Sequence, residues 1–262
     1  MSRLDDKVVI ITGAARGLGR VMAEVFAAEG AQLTLAGRST ELLDAAAADL
    51  RKAGHHALAV TTDVADESAV EAMVAATVEE YGHVDVLCNN AAQPGTDLHI
   101  WEQTLENWNA TIAVDVTSAM LCSREVLKQS MLERRSGSIV NFSSTAALQG
   151  VPRKSHYCTA KAGLRTLTKV IAQEVGPYGI RCNCVVPGSI QGELQTNYWN
   201  RLAGEQGVDV EVIGDRVRAN AALRATASPE EVIAAVLFLA SDESSAITGQ
   251  SLTIDCGVNF PG

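Results

Sequence analysis

The sequence predicts an α/β chain: a doubly wound parallel sheet of about seven strands with helices on both faces. Short apolar runs alternate with amphipathic segments from end to end. The segments between the runs are long enough to be crossover helices, which makes the strands parallel and buries both faces of the sheet. The first apolar run, Val8-Val9-Ile10-Ile11, opens directly onto a glycine-rich turn, Thr12-Gly13-Ala14-Ala15-Arg16-Gly17-Leu18-Gly19, and then onto a helical pattern.

Taken in order, the first strand is Lys7–Thr12, and an amphipathic stretch to Glu29 makes Gly17–Glu29 the first helix. The strand Gln32–Ala36 and the helix Thr40–Ala53 follow, then the strand Ala57–Thr61 and the helix Glu67–Tyr81. The strand Val84–Cys88 precedes one long helix, Leu105–Leu132. The strand Ser138–Phe142, the helix His156–Val175 and the strand Ile180–Val186 come next. The helix Pro229–Ala240 and the strand Ser251–Asp255 close the pattern. The stretch from Gly188 to Ser228 breaks the rhythm and reads as irregular; an excursion of that length is expected to be a substrate lid. No linker divides the 262 residues, so 1–262 is expected to be a single dinucleotide-binding and catalytic domain, with the lid at 188–228.

Composition excludes several function classes. With 21 basic and 31 acidic residues the net charge is −10, and no Lys/Arg stripe is present, which argues against a nucleic-acid partner. No apolar run approaches the roughly 18 residues of a membrane span. The start, Met1-Ser2-Arg3-Leu4-Asp5-Asp6, lacks the apolar core of a signal peptide, so a cytoplasmic location is expected. The six cysteines (Cys88, Cys122, Cys158, Cys182, Cys184, Cys256) form no C-x-x-C pair, and no His cluster has metal-ligand spacing. They read as free thiols in a reducing compartment, with Cys182 and Cys184 on one face of a strand.

A strand, a tight glycine turn and a helix make a cradle for a dinucleotide. Glycines let the backbone turn sharply and approach a pyrophosphate, and the helix N-terminus presents free N–H groups to the anion. Further on, Tyr157 and Lys161 stand four residues apart on one face of a helix start. Ser144 lies just past the run Ile139-Val140-Asn141-Phe142, where a strand end presents a hydroxyl to the ligand crevice.

With these motifs the chain resembles the short-chain dehydrogenase/reductase family in its shorter, single-domain branch. The resemblance covers Lys7 to Gly257. It rests on the TGAARGLG turn, Asn89-Asn90-Ala91-Ala92, Ser144, the Tyr157/Lys161 pair, and Ile180-Arg181-Cys182-Asn183 leading into Pro187-Gly188. It implies a Rossmann-like fold and an NAD(P)-dependent oxidoreductase that interconverts a secondary alcohol and a ketone by hydride transfer. Tyr157 would be its acid and base. A phenol has a pKa near 10, so the Lys161 cation, helped by oxidised nicotinamide, would favour the phenolate. In the family this lysine also binds the nicotinamide ribose, and Ser144 would hold the substrate oxygen. The resemblance further implies cofactor contacts from Gly13, Arg16, Gly17, Leu18, Gly19, Arg38, Ser39, Asp63, Val64, Asn90, Ala91, Tyr157, Lys161, Pro187, Gly188 and Ile190, and a homotetramer.

The chain departs from the family at the fourth catalytic position, where Asp115 stands in place of an asparagine that holds a proton-relaying water. A carboxylate can also accept from that water, but its charge would partly offset the pull of Lys161 on the phenolate and alter the pH optimum. Alternatively, Asp115 only braces the helix. Ala92 replaces a usual glycine and Gly192 a frequent threonine that contacts the cofactor; Thr196 is the candidate to supply the missing hydroxyl.

The second strand ends Gly37-Arg38-Ser39, with glycine where an acidic residue would select NAD. Arg38, with Arg16, can pair with a 2′-phosphate, so NADP(H) is favoured and NAD(H) is the alternative; Arg38 can also be read as a solvated surface charge. Substrate contacts are expected from Gln93, Pro94, Thr145, Leu148, Arg153 and the lid, whose Tyr198 and Trp199 either face the substrate or anchor the lid. The lid mixes both signs of charge and demands no anionic substrate. A 3-oxoacyl-thioester reductase, a catalytically silent cofactor-binding regulator, and an epimerase or dehydratase on the same cofactor site are the alternatives.

Overall fold

A computed structural model of the chain describes residues 2–260. Val8–Thr12, buried at every position, forms β1 near the middle of the sheet. The chain continues through α1 (Gly17–Ala28), β2 (Gln32–Gly37), α2 (Thr40–Lys52), β3 (Ala57–Thr61), α3 (Glu67–Tyr81) and β4 (Val86–Asn89). A long helical stretch follows: α4 (Leu105–Ile112), a π-helical stretch (Ala113–Thr117), α5 (Ser118–Val126), a second π stretch (Leu127–Met131) and α6 (Leu132–Arg134). Then come β5 (Gly137–Phe142), α7 (Ala146–Gln149), α8 (Ser155–Val175), β6 (Ile180–Pro187), α9 (Glu193–Gln206), α10 (Val210–Ala219), α11 (Pro229–Ala240) and β7 (Ser251–Ile254).

The seven strands are ordered β3-β2-β1-β4-β5-β6-β7, and every neighbouring pair is parallel. The chain runs outward from β1 to β3 and returns beside β1 as β4, so the order reverses between these two strands. A crevice opens at their C-terminal ends, where the glycine turn lies.

Alternation along each strand sorts the core into two layers. Val9, Ile11, Leu33, Leu35 and Val140 pack with Met22 and Phe26 of α1, Leu43 of α2 and Ile233 and Val236 of α11. Ile10, Leu87, Ile139 and Cys182 pack on the other face with Val70 and Met73 of α3, Leu121 of α5 and Ile171 of α8. Both faces are covered, which is why the strands read as continuous apolar runs. Local chemistry fixes the helix ends. Asp66 caps α3 by accepting from Ala69 N–H, and Gly82, at φ +84°, ends it. Ser228 and Glu231 form a reciprocal capping box ahead of α11, with Pro229 in its first turn.

The structure adds the short helix α7, which was not expected, and departs from the expected elements in two further places. The segment Leu105–Leu132 is not one uniform α-helix, because two π stretches interrupt it, the first centred on Asp115. The stretch from Gly188 to Ser228 is not irregular: it carries α9 and α10, whose Trp199, Ala203 and Ile213 form a small core with Leu202, Val208, Val210 and Val217. Glycines at 204, 207 and 214 dilute the helical pattern there, although Gly207 (φ +65°) and Asp209 are the stop and start signals of these helices. Elsewhere the ends move by one or two residues.

Candidate active site

The cradle is built from the turn after β1. Gly13 (φ +69°) and Gly17 (φ +57°) take backbone conformations that side chains resist. A Cβ on Gly19 would lie 2.3 Å from Gly13 O, so the first turn of α1 can pass under the loop only without a side chain. No side chain caps α1 at Arg16, which leaves its first N–H groups for an external anion. Thr12 Oγ1 accepts from Asn90 N–H and Ala91 N–H, both at 3.0 Å, and Asn90 Nδ2 donates to Thr12 O over 2.8 Å. These bonds pin the end of β4 to the turn, bringing Gly13, Asn90 and Ala91 together. Leu18 is half-buried against the core.

Around the cradle, Arg16 and Arg38 are exposed, and neither has an ion-pair partner among the described residues. Ser39 is the N-cap of α2. Asp63 is exposed and accepts from Ala65 N–H over 3.0 Å, while the adjoining Val64 is buried. Pro187 ends β6, and a Cβ on Gly188 would lie 2.7 Å from Asp255 Cβ, so the two strand ends close on each other there. Ile190 bridges to Ala227. An uncapped helix N-terminus beside a turn with no room for a side chain at Gly13 and Gly19, and open space at Gly17, fits the pyrophosphate of a dinucleotide.

The side chains that the sequence singles out for the chemistry lie at the C-terminal edge of β5 and the start of α8. Ser144 Oγ accepts from Ala146 N–H over 3.2 Å, which leaves its own proton to donate. Ser143 Oγ donates to Lys161 O over 2.7 Å, tying the serine loop to the lysine's turn of α8. Lys161 Nζ lies 5.6 Å from the centre of the Tyr157 ring. It donates to Phe142 O over 3.0 Å and lies 3.1 Å from Asp115 Oδ2, off the alignment of a hydrogen bond. The other carboxylate oxygen, Oδ1, accepts from Gln93 N–H over 2.7 Å. Burial pushes the Asp115 carboxyl above the usual carboxylate range, against the opposing pull of Lys161. Asp115 thus meets two donors from different segments, at the centre of a π stretch, a feature that recurs at functional sites.

The structure brings Ser144, Tyr157, Lys161 and Asp115 to one edge of the sheet. It gives Thr196 a different partner from the cofactor: its hydroxyl donates to Gly192 O, one turn back. Trp199 is buried within the lid's own core, and Tyr198 is exposed between two cations. Sequence reasoning missed His156, fully buried beside Tyr157, whose Nε2 donates to Pro94 O over 2.9 Å. It also missed Lys154, whose Nζ lies 5.9 Å from the Tyr157 ring centre. The cysteines are free; burial pushes Cys122 up to about 12 and Cys184 up to about 11, so neither is a nucleophile at neutral pH. Cys158 Sγ accepts from Val151 N–H. Among the described residues no helix is long and apolar enough to cross a membrane.

Comparison with known proteins agrees with this fold. A family model described as enoyl-(acyl carrier protein) reductase matches residues 13–259. A 2,3-dihydro-2,3-dihydroxybenzoate dehydrogenase of Bacillus subtilis (strain 168) is 36% identical over 263 residues, covering 98% of this chain and 97% of that protein. The crystal structure of a single-residue variant of actinorhodin polyketide ketoreductase with NADPH superimposes with a TM-score of 0.92 at 34% identity, covering 99% of this chain and 100% of that one. The structure of an NAD+-bound xylitol dehydrogenase does so with a TM-score of 0.90 at 29% identity, covering 97% of this chain and 100% of that one. The chain belongs to the short-chain dehydrogenase/reductase family. It is an NAD(P)-dependent oxidoreductase acting on CH–OH groups, and both forms of the cofactor occur among its structural relatives.

Proposed function

We propose that this enzyme interconverts a secondary alcohol and a ketone with Tyr157 as the proton donor and acceptor. The observation that carries the reading is the Lys161 ammonium, buried and 5.6 Å from the Tyr157 ring centre, at the edge of the sheet where Ser144 presents a hydroxyl. Bound on the glycine cradle, a nicotinamide dinucleotide supplies the hydride for reduction or accepts it in oxidation. Tyr157 gives its proton to the substrate oxygen in reduction and takes one in oxidation, and Lys161 stabilises the phenolate left behind. Ser144 donates a hydrogen bond to the same oxygen. Asp115 holds Lys161 in place and accepts from the water that replenishes the proton.

NADP(H) is the proposed cofactor, because Arg16 and Arg38 are exposed cations in a chain of net charge −10. Asp63, with Val64 beside it, is the proposed contact to the adenine, and Ile190 is a further proposed cofactor contact. The segment 188–228 acts as the substrate lid. Apolar side chains exposed on α5 (Met120), α8 (Val170) and β7 (Leu252) support a homo-oligomer, with a tetramer proposed from the resemblance.

The test is nicotinamide absorbance against a panel of carbonyls and alcohols in both directions, with Tyr157→Phe as control. Turnover in the parent enzyme that falls by about 100-fold or more in the Phe variant supports the reading. Turnover that Tyr157→Phe leaves intact overturns it. Product formed without net change in cofactor redox state points instead to an epimerase or dehydratase.

A further inference from the structure

The loop leaving β4 is tied down at almost every residue. Gln93 N–H donates to Asp115 Oδ1 and Pro94 O accepts from His156 Nε2. Thr96 exchanges two hydrogen bonds with the Asn107 side chain on α4. Leu98 N–H donates to Arg153 O over 2.9 Å, and Arg153 Nη2 returns a bond to Asp97 O over 3.3 Å. Arg153 itself sits at φ +68°, a conformation costly for a side-chain-bearing residue. The loop is therefore fixed to α4 and to the start of α8.

The Asp97 carboxylate, 18% exposed, is shared by two cations from separate segments. Arg201 Nη2, on lid helix α9, lies 2.5 Å from Oδ2, and Lys154 Nζ, at the start of α8, lies 3.8 Å from Oδ1. The same two cations flank one lid ring: Lys154 Nζ is 5.0 Å and Arg201 Cζ 5.3 Å from the centre of Tyr198. Lys154 is also 5.9 Å from the centre of the Tyr157 ring. The apolar cluster around Trp199 is made entirely of lid residues, so it ties α9 to α10 and not to the sheet. The far end of the lid is held by backbone bonds from Ala222 and Leu223 to Gly257 and Cys256. On the side facing Tyr157, the charged ties run through Asp97, with a longer link from Arg153 to Glu205 at 3.8 Å.

We infer that Asp97 is a positioning residue: through Arg201 and Lys154 it holds α9 over the Tyr157 side of the crevice and so sets how tightly substrate is enclosed. The inference rests on Tyr157 being the acid–base group, but its physical content, that Asp97 holds the lid, does not. An isolated exposed ion pair contributes little, whereas one carboxylate shared by two cations on a fixed loop couples them.

The test compares Asp97→Asn, Arg201→Gln and the double variant with the parent enzyme, using steady-state kinetics and hydrogen exchange of the α9 amides. Asp97→Asn raises the substrate KM roughly five-fold with kcat within about two-fold, and speeds exchange across residues 193–206. Arg201→Gln does the same to a lesser degree, and the double variant is no worse than Asp97→Asn. High salt moves the parent KM toward that of the variants. Unchanged α9 exchange in Asp97→Asn, or fully additive effects in the double variant, overturns the inference. If no substrate turns over, exchange still decides the role of Asp97, while the missing turnover counts against the acid–base reading alone.

Discussion

Lys161 and Asp115 form an ion pair, Nζ to Oδ2 3.1 Å, with side chains only 3% and 0% exposed. Placing two charges out of water is costly, and their mutual attraction repays the cost only when the remaining hydrogen-bonding capacity is met. Here Lys161 donates to Phe142 O, and Asp115 Oδ1 accepts from Gln93 N–H. The carboxylate accepts from one backbone N–H and faces one ammonium as its counter-charge. An amide in its place can turn its oxygen toward only one of them and must turn its NH2 group toward the other.

Asp115→Asn is therefore expected to cost about 1–3 kcal/mol through one unmet donor, with a pH dependence of definite sign. Burial raises the Asp115 carboxyl above its ordinary value in the folded chain. Between the two values the unfolded chain has released a proton that the folded chain still holds, so the native state loses ground as pH rises. The parent's advantage over Asp115→Asn should be fullest below about pH 4, fall as pH rises through the raised value, and then level off. Melting temperatures of both proteins across pH 3–8 would show it; a parent advantage that grows with pH would mean Lys161 holds the carboxyl below its ordinary value.

The same substitution should change the rate profile. Without the carboxylate, less negative charge offsets Lys161, and the phenolate of Tyr157 is better stabilised. The acidic limb of the alcohol-oxidation profile is expected to move to lower pH, measured as kcat against pH. An unmoved limb would reduce Asp115 to a brace for the Gln93 loop.

How far all this was legible follows from where each signal resides. The strands and the cradle could be read because both faces of the sheet are covered, which writes continuous apolar runs, and because the turn needs glycine at three places, for space at Gly13 and Gly19 and for a positive φ at Gly13 and Gly17. Ser144, Tyr157, Lys161 and Asp115 stand out as candidates by spacing and resemblance. The π stretch around Asp115 was not, since one extra residue in a helical turn leaves no mark in composition. The α9–α10 pair escaped because its small core is internal to the lid, so its pattern never registers against the sheet. The Asp97 cluster was invisible for another reason: residues 97, 154 and 201 are distant in sequence and meet only through the fold.

Removing the lysine should do more damage than removing the charge pair. Lys161→Met leaves Asp115 buried without a counter-charge and is expected to cost about 3–5 kcal/mol. Adding Asp115→Asn removes that orphan charge while keeping an acceptor for Gln93 N–H, and should recover at least half of the loss. Neither variant should turn over substrate. Denaturant unfolding of the single and double variants measures the coupling, and strict additivity would show that the pair is not energetically linked.

Two glycines of the cradle should fail in different ways. A Cβ on Gly19 meets Gly13 O at 2.3 Å, so Gly19→Ala forces backbone to move and is expected to cost about 2–3 kcal/mol of stability. A Cβ on Gly17 has nothing within 4 Å, and only its φ of +57° is costly, about 1 kcal/mol. Its open side is where a pyrophosphate would lie, so Gly17→Ala should weaken dinucleotide binding about tenfold or more while shifting Tm only slightly. Fluorescence titration with NADPH beside thermal melts separates the two effects.

Cofactor choice should turn on Gly37 and Arg38. At the end of β2 an acidic side chain would accept the adenosine ribose hydroxyls and repel a 2′-phosphate; here glycine holds that position, followed by an exposed arginine. A Cβ on Gly37 would make only ordinary contacts, 3.8 Å and 3.9 Å from the Leu43 methyl carbons, so the fold has room for a side chain. The glycine is therefore not a packing requirement, and the site can be rewritten without unfolding the strand. Arg38→Gln should lower the NADPH-to-NADH ratio of kcat/KM about tenfold by removing one charge-assisted contact. Gly37→Asp should lower it further, because a carboxylate meeting the phosphate costs several kcal/mol, about 100-fold or more. Equal kcat/KM with both cofactors in the parent enzyme, unchanged in either variant, would show that the two positions do not read the 2′-phosphate.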